Sequence, residues 1–220
     1  MSGTGTLILR LEGPLQSWGY RSRFRYRDTG LEPTKSGIVG LISCALGRDR
    51  SQSPTDLAGL KMHVRVDAPG KLLVDFHTAG GGVFRNRRDY FAPTSSGSKG
   101  KNPVITEKHY LQDASFTVAL EGDANQLESI ADALQDPVWP LFLGRKSCPP
   151  GMPVFVEFSS TDARQKLTEK FDGRCRFIWE VDSSDPSAEA RPDVPLDWPN
   201  RETRKYGLRY VKSEELEAGK

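Results

Sequence analysis

The order of the periodic segments limits the folds that this 220-residue chain can adopt. Residues 6–12 and 60–67 alternate apolar and polar side chains, as β-strands do, and residues 34–46 repeat apolar side chains at helical spacing. A turn at residues 68–71 and a strand at residues 72–77 predict a hairpin with the strand at 60–67. Further strands are predicted at residues 110–120, 138–143 and 153–159, and a second helix begins at the capping box of Asp123 and Gln126.

These segments follow one another in the order β-α-β-β-insert-β-α-β. Apart from the insert and one extra strand, this order predicts an α+β fold of the ferredoxin-like or RRM type, in which two helices cover one face of an antiparallel sheet. We assign residues 1–160 to this domain and residues 161–220 to a small β-rich C-terminal extension. In the extension, residues 176–181 and 208–212 are predicted to pair as strands. The acidic, proline-rich residues 183–199 are predicted to form an extended surface loop.

The insert covers residues 79–109 and shows no hydrophobic period. Three glycines stand near its start, and it holds six Lys and Arg against two Asp and Glu. A loop of this length inside a compact domain is usually functional or mobile. Its arginines stand beside aromatic rings, which suits a binding surface, although the rings could also form a local core. The candidates for RNA contact are Arg85, Arg87, Arg88 and Tyr90.

Charge divides the chain into a basic half and an acidic half. Residues 1–110 hold 17 Lys and Arg against 9 Asp and Glu, and residues 111–220 hold 14 against 20. Ordinary variation in surface charge is one explanation. Because the basic residues also cluster locally, we favour one face for a polyanion and another face for a different contact.

The three cysteines, Cys44, Cys148 and Cys175, are widely spaced and include no Cys-x-x-Cys pair. This pattern argues against a disulfide framework and against a zinc site, and it fits a reducing cytoplasm. We expect no metal site, and no cofactor is predicted either. The longest apolar run, residues 38–46, is too short to span a bilayer, and the N-terminus lacks the basic region and cleavage site of a signal peptide. No membrane contact is expected.

Two neighbouring segments near the N-terminus point to RNA. Residues 20–27 interleave four arginines with three aromatic residues, and arginine beside aromatic rings suits a single nucleic-acid strand. Arg21 and Arg23 are candidate contacts, with a solvated edge as the alternative. Lys35 and Ser36 lie in the first turn of the first predicted helix, where unpaired N–H groups attract phosphate. A plain helix cap is the alternative there.

Four further candidates lie in turns. Gln16 and Trp18 follow the first strand, and Trp18 could stack on a base or pack in the core. Arg145 and Lys146 lie in a glycine-bounded basic loop and could bind phosphate or form salt bridges with the acidic half.

Four motifs in this chain, taken in order, resemble the CasD family of CRISPR-associated proteins. CasD proteins are subunits of Cascade, the type I-E CRISPR surveillance complex, and they hold the 5′ handle of the crRNA. The resemblance runs from the first strand to about residue 160. The motifs are Leu-Glu-Gly-Pro-Leu-Gln-Ser-Trp-Gly at residues 11–19, Pro-Thr-Lys-Ser-Gly at 33–37, Tyr-Leu-Gln-Asp-Ala-Ser-Phe-Thr-Val-Ala-Leu at 110–120 and Pro-Leu-Phe-Leu-Gly-Arg-Lys-Ser-Cys-Pro at 140–149.

The resemblance implies an RRM-like domain with a protruding thumb hairpin, for which residues 79–109 are the candidate. It also implies a non-catalytic subunit at one end of the complex, beside the CasC backbone filament and the large subunit CasA, with indirect contact with target DNA. Members outside type I-E can cut precursor crRNA, whereas in type I-E a separate subunit, CasE, has that task. A metal-independent endoribonuclease is therefore the alternative function. His77 and His109, beside Tyr110, would be its candidate catalytic groups.

Overall fold

The computed structural model describes residues 3–20, 25–81, 92, 96–97, 103–198 and 205–219, and it shows a mixed α+β chain dominated by sheet. The helices of the described residues are α1 (Lys35–Ala45), α2 (Thr55–Ala58), α3 (Ala124–Gln135) and α4 (Ala163–Glu169). The strands are β1 (Thr4–Glu12), β2 (Leu15–Gln16), β3 (Tyr26–Arg27), β4 (Lys61–Ala68), β5 (Lys71–Ala79), β6 (Val104–Gln112), β7 (Ser115–Asp123), β8 (Phe155–Ser159), β9 (Arg174–Glu180), β10 (Glu189–Asp197) and β11 (Lys205–Glu217).

Seven of these strands form one sheet, in the order β10-β11-β9-β4-β7-β1-β8. All six pairings in it are antiparallel. Within this sheet β4, β7, β1 and β8 are neighbours, and in the chain α1 lies between β1 and β4 while α3 lies between β7 and β8. The fully buried Leu7, Leu9 and Leu11 of β1 join the main core.

The helices cover both faces of this sheet. Apolar residues of α1 and α3 belong to the main core, and the predicted apolar face of α3 is confirmed by the burial of Leu127, Ile130, Ala131 and Leu134. The predicted cap of α3 is also confirmed, because the Asp123 carboxylate accepts the Gln126 N–H at 3.1 Å. On the other face, α4 packs on a smaller cluster that includes Phe177 and Trp179 of β9.

A second sheet is built around β6. Strand β5 pairs with β6 in an antiparallel register over nine positions, from Lys71 opposite Gln112 to Ala79 opposite Val104. On its other edge, β6 pairs with β2 and with β3. Apolar side chains of β5 are largely exposed, including Leu72 at 59% and Phe76 at 60%. The β5–β6 ladder therefore extends away from the two cores.

Two strand predictions in this region are wrong. Strand β5 does not form a hairpin with β4, because β4 pairs with β7 and β9 while β5 pairs with β6. The single strand predicted at residues 110–120 is two strands in different sheets. The chain turns between them at Asp113, whose φ of 54° is left-handed, a conformation that aspartate tolerates better than most residues.

The C-terminal residues continue the large sheet. The predicted pairing of the strands near residues 176–181 and 208–212 is confirmed by β9 and β11. The predicted surface loop at residues 183–199 is wrong in part, because it contains β10, and the strand predicted at residues 138–143 is not formed. Since β9 pairs with β4, both parts of the chain share one sheet. The domain boundary at residue 160 stays a prediction.

Candidate RNA-binding surface

Gln16 and Trp18 lie in the core, and each is 0% exposed. The Gln16 amide nitrogen donates to the carbonyl oxygens of Leu11 at 3.0 Å and Ala114 at 2.7 Å. Its amide oxygen accepts the indole N–H of Trp18 at 3.1 Å. The indole ring has no face open to a nucleobase, so the geometry favours the packing alternative for both residues.

The turn that holds Gln16 and Trp18 is where the four motifs meet. The Ser17 hydroxyl donates to the carbonyl oxygen of His109 at 3.0 Å. Trp18 packs on α1 at Gly37, where a Cβ atom would lie 2.8 Å from the indole ring. Gly144 has a φ of +83°, and a Cβ there would overlap the Ser17 carbonyl. The motifs thus build a packed junction beneath the β5–β6 ladder.

Protein groups already occupy the N-terminus of α1. The Thr34 hydroxyl accepts the Gly37 N–H at 3.2 Å, and the Asp193 carboxylate of β10 accepts the Lys35 N–H at 2.9 Å. Ser36 is half-buried, and its hydroxyl lies 3.4 Å from that of Thr34. A carboxylate favours the same N–H groups and positive helix end as a phosphate. Asp193 therefore takes the position that was predicted for an RNA phosphate.

Lys35 forms a buried ion pair. Lys35 is 4% exposed, and its ammonium nitrogen lies 3.0 Å from Oε1 of Glu180. Burial lowers the pKa of Lys35, and the Glu180 carboxylate opposes that shift. Glu180 also accepts the Met62 N–H at 2.9 Å. An RNA phosphate would have to displace Glu180, so the geometry favours a structural role for Lys35. The only sequence signal for Glu180 and Asp193 is the acidic excess of residues 111–220.

Arg145 connects three segments of the chain through backbone carbonyl groups. Its guanidinium donates to the carbonyl oxygen of His109 at 3.2 Å, of Arg27 at 2.6 Å and of Asp28 at 3.0 Å. Its Cζ also lies 5.0 Å from the centroid of the Tyr110 ring. The guanidinium thus fixes the end of the arginine-rich segment against β6. The neighbouring Lys146 is exposed and could receive a phosphate.

The described part of the arginine-rich segment is exposed. Arg25, Tyr26 and Arg27 all lie at the surface, and Tyr26 is 55% exposed. Tyr26 and Arg27 form β3, which runs parallel to β6 with Tyr26 opposite Glu107. The Arg25 guanidinium lies 3.8 Å from the Glu107 carboxylate and 5.7 Å from the centroid of the Tyr26 ring. Backbone pairing therefore holds this segment, and because the Arg25 pair is weak and solvent-exposed, the cationic and aromatic side chains stay accessible to a ligand.

The remaining predicted contacts fall outside the described residues. These are Arg21 and Arg23 in the arginine-rich segment, and Arg85, Arg87, Arg88 and Tyr90 between β5 and β6. Strands β5 and β6 themselves lead to and from that second segment.

The histidines do not form a paired site. His63 is buried, with Nδ1 accepting the Glu180 N–H at 3.1 Å and Nε2 lying 3.0 Å from Glu121. His109 lies opposite Val74, and His77 lies three residues farther along β5. Because side chains alternate between the faces of a strand, His77 and His109 point to opposite faces of the β5–β6 ladder.

The described residues hold no cluster of three or more metal-ligating side chains. All three cysteines have free thiols, with Cys148 and Cys175 buried and Cys44 half-buried. Within the same described residues, no helix combines the length and the hydropathy that a membrane crossing requires.

Comparison with known proteins agrees with this architecture. The family described as CRISPR-associated protein (Cas_Cas5) matches residues 6–212. The chain therefore belongs to the Cas5 family of CRISPR-associated proteins. It is 35% identical over 183 residues to the CRISPR system Cascade subunit CasD of Escherichia coli (strain K12), which covers 76% of each protein. The resemblance to CasD is thus confirmed.

Solved structures show the same relationship. A chain of a structure described as a CRISPR RNA-guided surveillance complex aligns with a TM-score of 0.80 and 33% identity, covering 97% of this chain and 90% of that one. A structure described as "Crystal structure of Cas protein" aligns with a TM-score of 0.72 and 35% identity, covering 97% and 95%. The mixed α+β fold is therefore that of solved CRISPR-associated proteins.

Proposed function

We propose that the protein is a non-catalytic RNA-binding subunit of a type I-E Cascade complex, where it holds the 5′ handle of crRNA. The observation that carries this proposal is the exposed segment Arg25–Arg27, which pairs with β6 at the surface. Cations beside an aromatic ring bind a single strand through phosphate contacts and base stacking. Membership of the Cas5 family and the identity to a Cascade subunit supply the biological setting.

The same proposal assigns the thumb to β5, β6 and the residues between them. The support is the exposure of Leu72, Val74 and Phe76 along β5, which no core of the described residues covers. The strand order β4-β7-β1-β8, with α1 and α3 as the connections, supports a ferredoxin-like or RRM-type domain. Residues 85–90 of the thumb would then add arginines to the RNA-binding surface.

In the complex, we assign the chain a position at the end of the backbone filament, in contact with crRNA, CasC subunits and CasA. Contact with target DNA would be indirect, and the complex would act in the cytoplasm. The exposed apolar side chains of β5 support a protein contact close to the RNA, because large exposed apolar residues in a row favour an interface.

The test is the salt dependence of RNA binding by the full chain. A labelled single-stranded RNA of the crRNA 5′ handle is titrated at several salt concentrations. Each phosphate contact with a single strand contributes about 0.7 to the slope of log affinity against log salt. In the double variant Arg25→Ala/Arg27→Ala, the magnitude of this slope should therefore be smaller by about 1.4 than in the wild type. Arg174→Ala removes an exposed arginine on β9 and is the matched control. Equal slopes for both variants would contradict the proposal.

The endoribonuclease alternative has a separate test. Labelled repeat RNA is incubated with the purified chain in EDTA, and we expect it to stay intact. The separation of His77 and His109 on opposite faces of the ladder supports this expectation, since a general acid and base must reach the same 2′-hydroxyl. Cleavage that is lost in His77→Ala or His109→Ala would establish the enzyme instead.

A further inference from the structure

Arg191 of β10 contacts the chain on both sides of the arginine-rich segment's exposed cations. Its Nη1 donates to the Tyr20 hydroxyl at 3.3 Å and forms an ion pair with the Glu32 carboxylate. Tyr20 begins that segment, and Glu32 lies between β3 and α1. One guanidinium group therefore joins a residue before Arg25 and Arg27 to a residue after them.

The two ends of the arginine-rich segment also contact each other directly. The Gly30 N–H donates to the carbonyl oxygen of Trp18 at 2.6 Å, and the Asp28 carboxylate accepts the Tyr20 N–H at 3.3 Å. The Tyr20 ring packs on Gly30, where a Cβ atom would overlap it. These four residues, which we call the neck, bring the two ends together, and Arg191 holds the neck from β10.

Glu32 has a second cationic partner. Its side chain is 6% exposed, and its carboxylate also accepts Nη2 of Arg176 in β9 at 2.8 Å. Within the described ranges, Arg176 bonds to Glu32 but not to Tyr20, so only Arg191 also reaches the neck. Loss of either arginine leaves the Glu32 charge paired, which avoids the cost of an isolated buried carboxylate.

The charge of Arg191 is compensated within the protein. Its side chain is 15% exposed, and Nη2 lies 3.6 Å from the carboxylate of Glu189, in addition to the Glu32 pair of Nη1. An RNA phosphate that approached this guanidinium would meet two carboxylates at short range and be repelled by them. Any effect of Arg191 on RNA binding must therefore act through the groups that it holds.

We infer that Arg191 is a positioning residue for RNA binding. By joining Tyr20 to Glu32, it holds the neck closed and fixes the cations of the arginine-rich segment before RNA arrives. A segment that is ordered beforehand loses less conformational entropy on binding, which raises affinity. The inference rests on the proposed function, and it gives the C-terminal strand β10 a part in the RNA-binding site.

The experiment measures the affinity of the full chain for labelled handle RNA in Arg191→Met, with Arg176→Met as the matched control. Each change removes one of the two arginines that pair with Glu32 and keeps a long side chain. Affinity should fall about three- to ten-fold in Arg191→Met and by less than about two-fold in Arg176→Met. The salt slope of Arg191→Met should match that of the wild type, because no phosphate contact is lost.

Tyr20→Phe isolates the contact between Arg191 and the neck. It removes one hydroxyl group and keeps the ring on Gly30. Affinity should fall about two- to five-fold. Adding Tyr20→Phe to Arg191→Met should cause no further loss, because both changes interrupt the same hydrogen bond. Losses that add independently would contradict the inference.

Hydrogen exchange of the chain without RNA tests the ordering of the neck by itself. The Gly30 amide, which bonds to the Trp18 carbonyl, should exchange about three- to ten-fold faster in Arg191→Met than in the wild type. Exchange of the amides of β7, in the middle of the large sheet, should stay unchanged. A role in global stability alone would raise exchange in both places.

Three results would overturn the inference and leave the proposed function standing. They are unchanged affinity in Arg191→Met, equal affinity losses in Arg191→Met and Arg176→Met, and a uniform rise in exchange. A salt slope that is smaller by about 0.7 in Arg191→Met would identify a direct phosphate contact and would also overturn it. A wild type without salt-dependent RNA binding would overturn the proposed function and, with it, the role of Arg191 in RNA binding.

Discussion

Replacing Asp193 with alanine should destabilise the protein strongly, although the residue lies on an edge strand. Asp193 of β10 is 2% exposed. Its carboxylate accepts the Lys35 N–H at 2.9 Å and two N–H groups of Arg209, Nε at 3.0 Å and Nη2 at 2.7 Å. One carboxylate therefore completes the N-terminus of α1 and neutralises a guanidinium whose side chain is 0% exposed.

The magnitude follows from the charge that is left behind. Without Asp193, the Arg209 side chain keeps one hydrogen bond among the described residues, to the Met62 carbonyl oxygen at 3.4 Å. Removing one partner of a buried ion pair costs about 3–5 kcal/mol, because the other charge stays desolvated. For a domain of this size, that loss lowers Tm by roughly 6–20 °C. This cost is a large part of a typical free energy of unfolding of about 5–15 kcal/mol.

Urea unfolding followed by circular dichroism at neutral pH measures the change. Asp197→Ala is the matched control, since Asp197 is exposed on the same strand and its loss should cost at most about 0.5 kcal/mol. The double variant Asp193→Leu/Arg209→Leu removes both charges and should recover most of the stability. A cost below about 1 kcal/mol for Asp193→Ala, or no recovery in the double variant, would refute the reasoning.

Three further outcomes are expected. Burial lowers the pKa of His63, so the unfolded chain binds the proton more readily and stability should fall as pH decreases below about 6.5; urea unfolding should show less of this fall in His63→Gln. Gly37→Ala should cost about 1–3 kcal/mol in the same assay, because its Cβ would lie 2.8 Å from the Trp18 ring, whereas Gly40→Ala, with no atom closer than 4.0 Å, should not destabilise α1. Replacing residues 82–106 with a Gly-Ser turn should leave Tm nearly unchanged but abolish nuclease protection of the crRNA 5′ end in the complex; normal protection would contradict the thumb assignment.

The local elements could be predicted because their signals lie within a few residues. The helix predicted at 34–46 is α1, Lys35–Ala45, and its Thr34 cap is a short-range hydrogen bond. The pairing of β5 with β6 could not be predicted in this way, since the partners are separated by the segment between Ala79 and Val104. The turn at Asp113 gave only a weak signal, because the alternation of apolar residues continues through it and a single aspartate, without glycine or proline, marks it.

Strand β10 was missed because its composition is unusual for a strand. It contains Pro192 and Pro195, which have no N–H to donate to a ladder. An edge strand pairs on one side only, so proline is tolerated there, and β10 is the edge of the seven-stranded sheet. The prolines that suggested a loop are therefore compatible with a strand at this one position in the sheet.

In the candidate site, too, the sequence predicted the chemistry of individual residues but not their neighbours in the folded chain. Gln16, Trp18 and Lys35 belong to motifs that suggested RNA contact, yet in the folded chain their polar atoms have protein partners. Some of these partners are near in sequence, as Leu11 is to Gln16, but those of Lys35, Glu180 and Asp193, come from distant parts of the sequence, and no local pattern predicts them. Residue type identified groups that can bind an anion, but not whether the protein supplies that anion itself.

The charge asymmetry of the chain has a consequence for where RNA can bind. Part of the acidic excess of residues 111–220 pairs with cations of the same chain, since Glu180 neutralises Lys35 in a buried ion pair. Among the described residues, Arg27 and Lys146 are exposed cations without such a partner, and Arg27 lies on β3 beside β6. Arg10, Lys61 and Lys71 are exposed without an ion pair in the same residues as well, so unpaired charge alone does not select the RNA-binding surface. Internal pairing removes Lys35 from the groups that a polyanion can reach, and the aromatic neighbour Tyr26 distinguishes Arg27 from the other exposed cations.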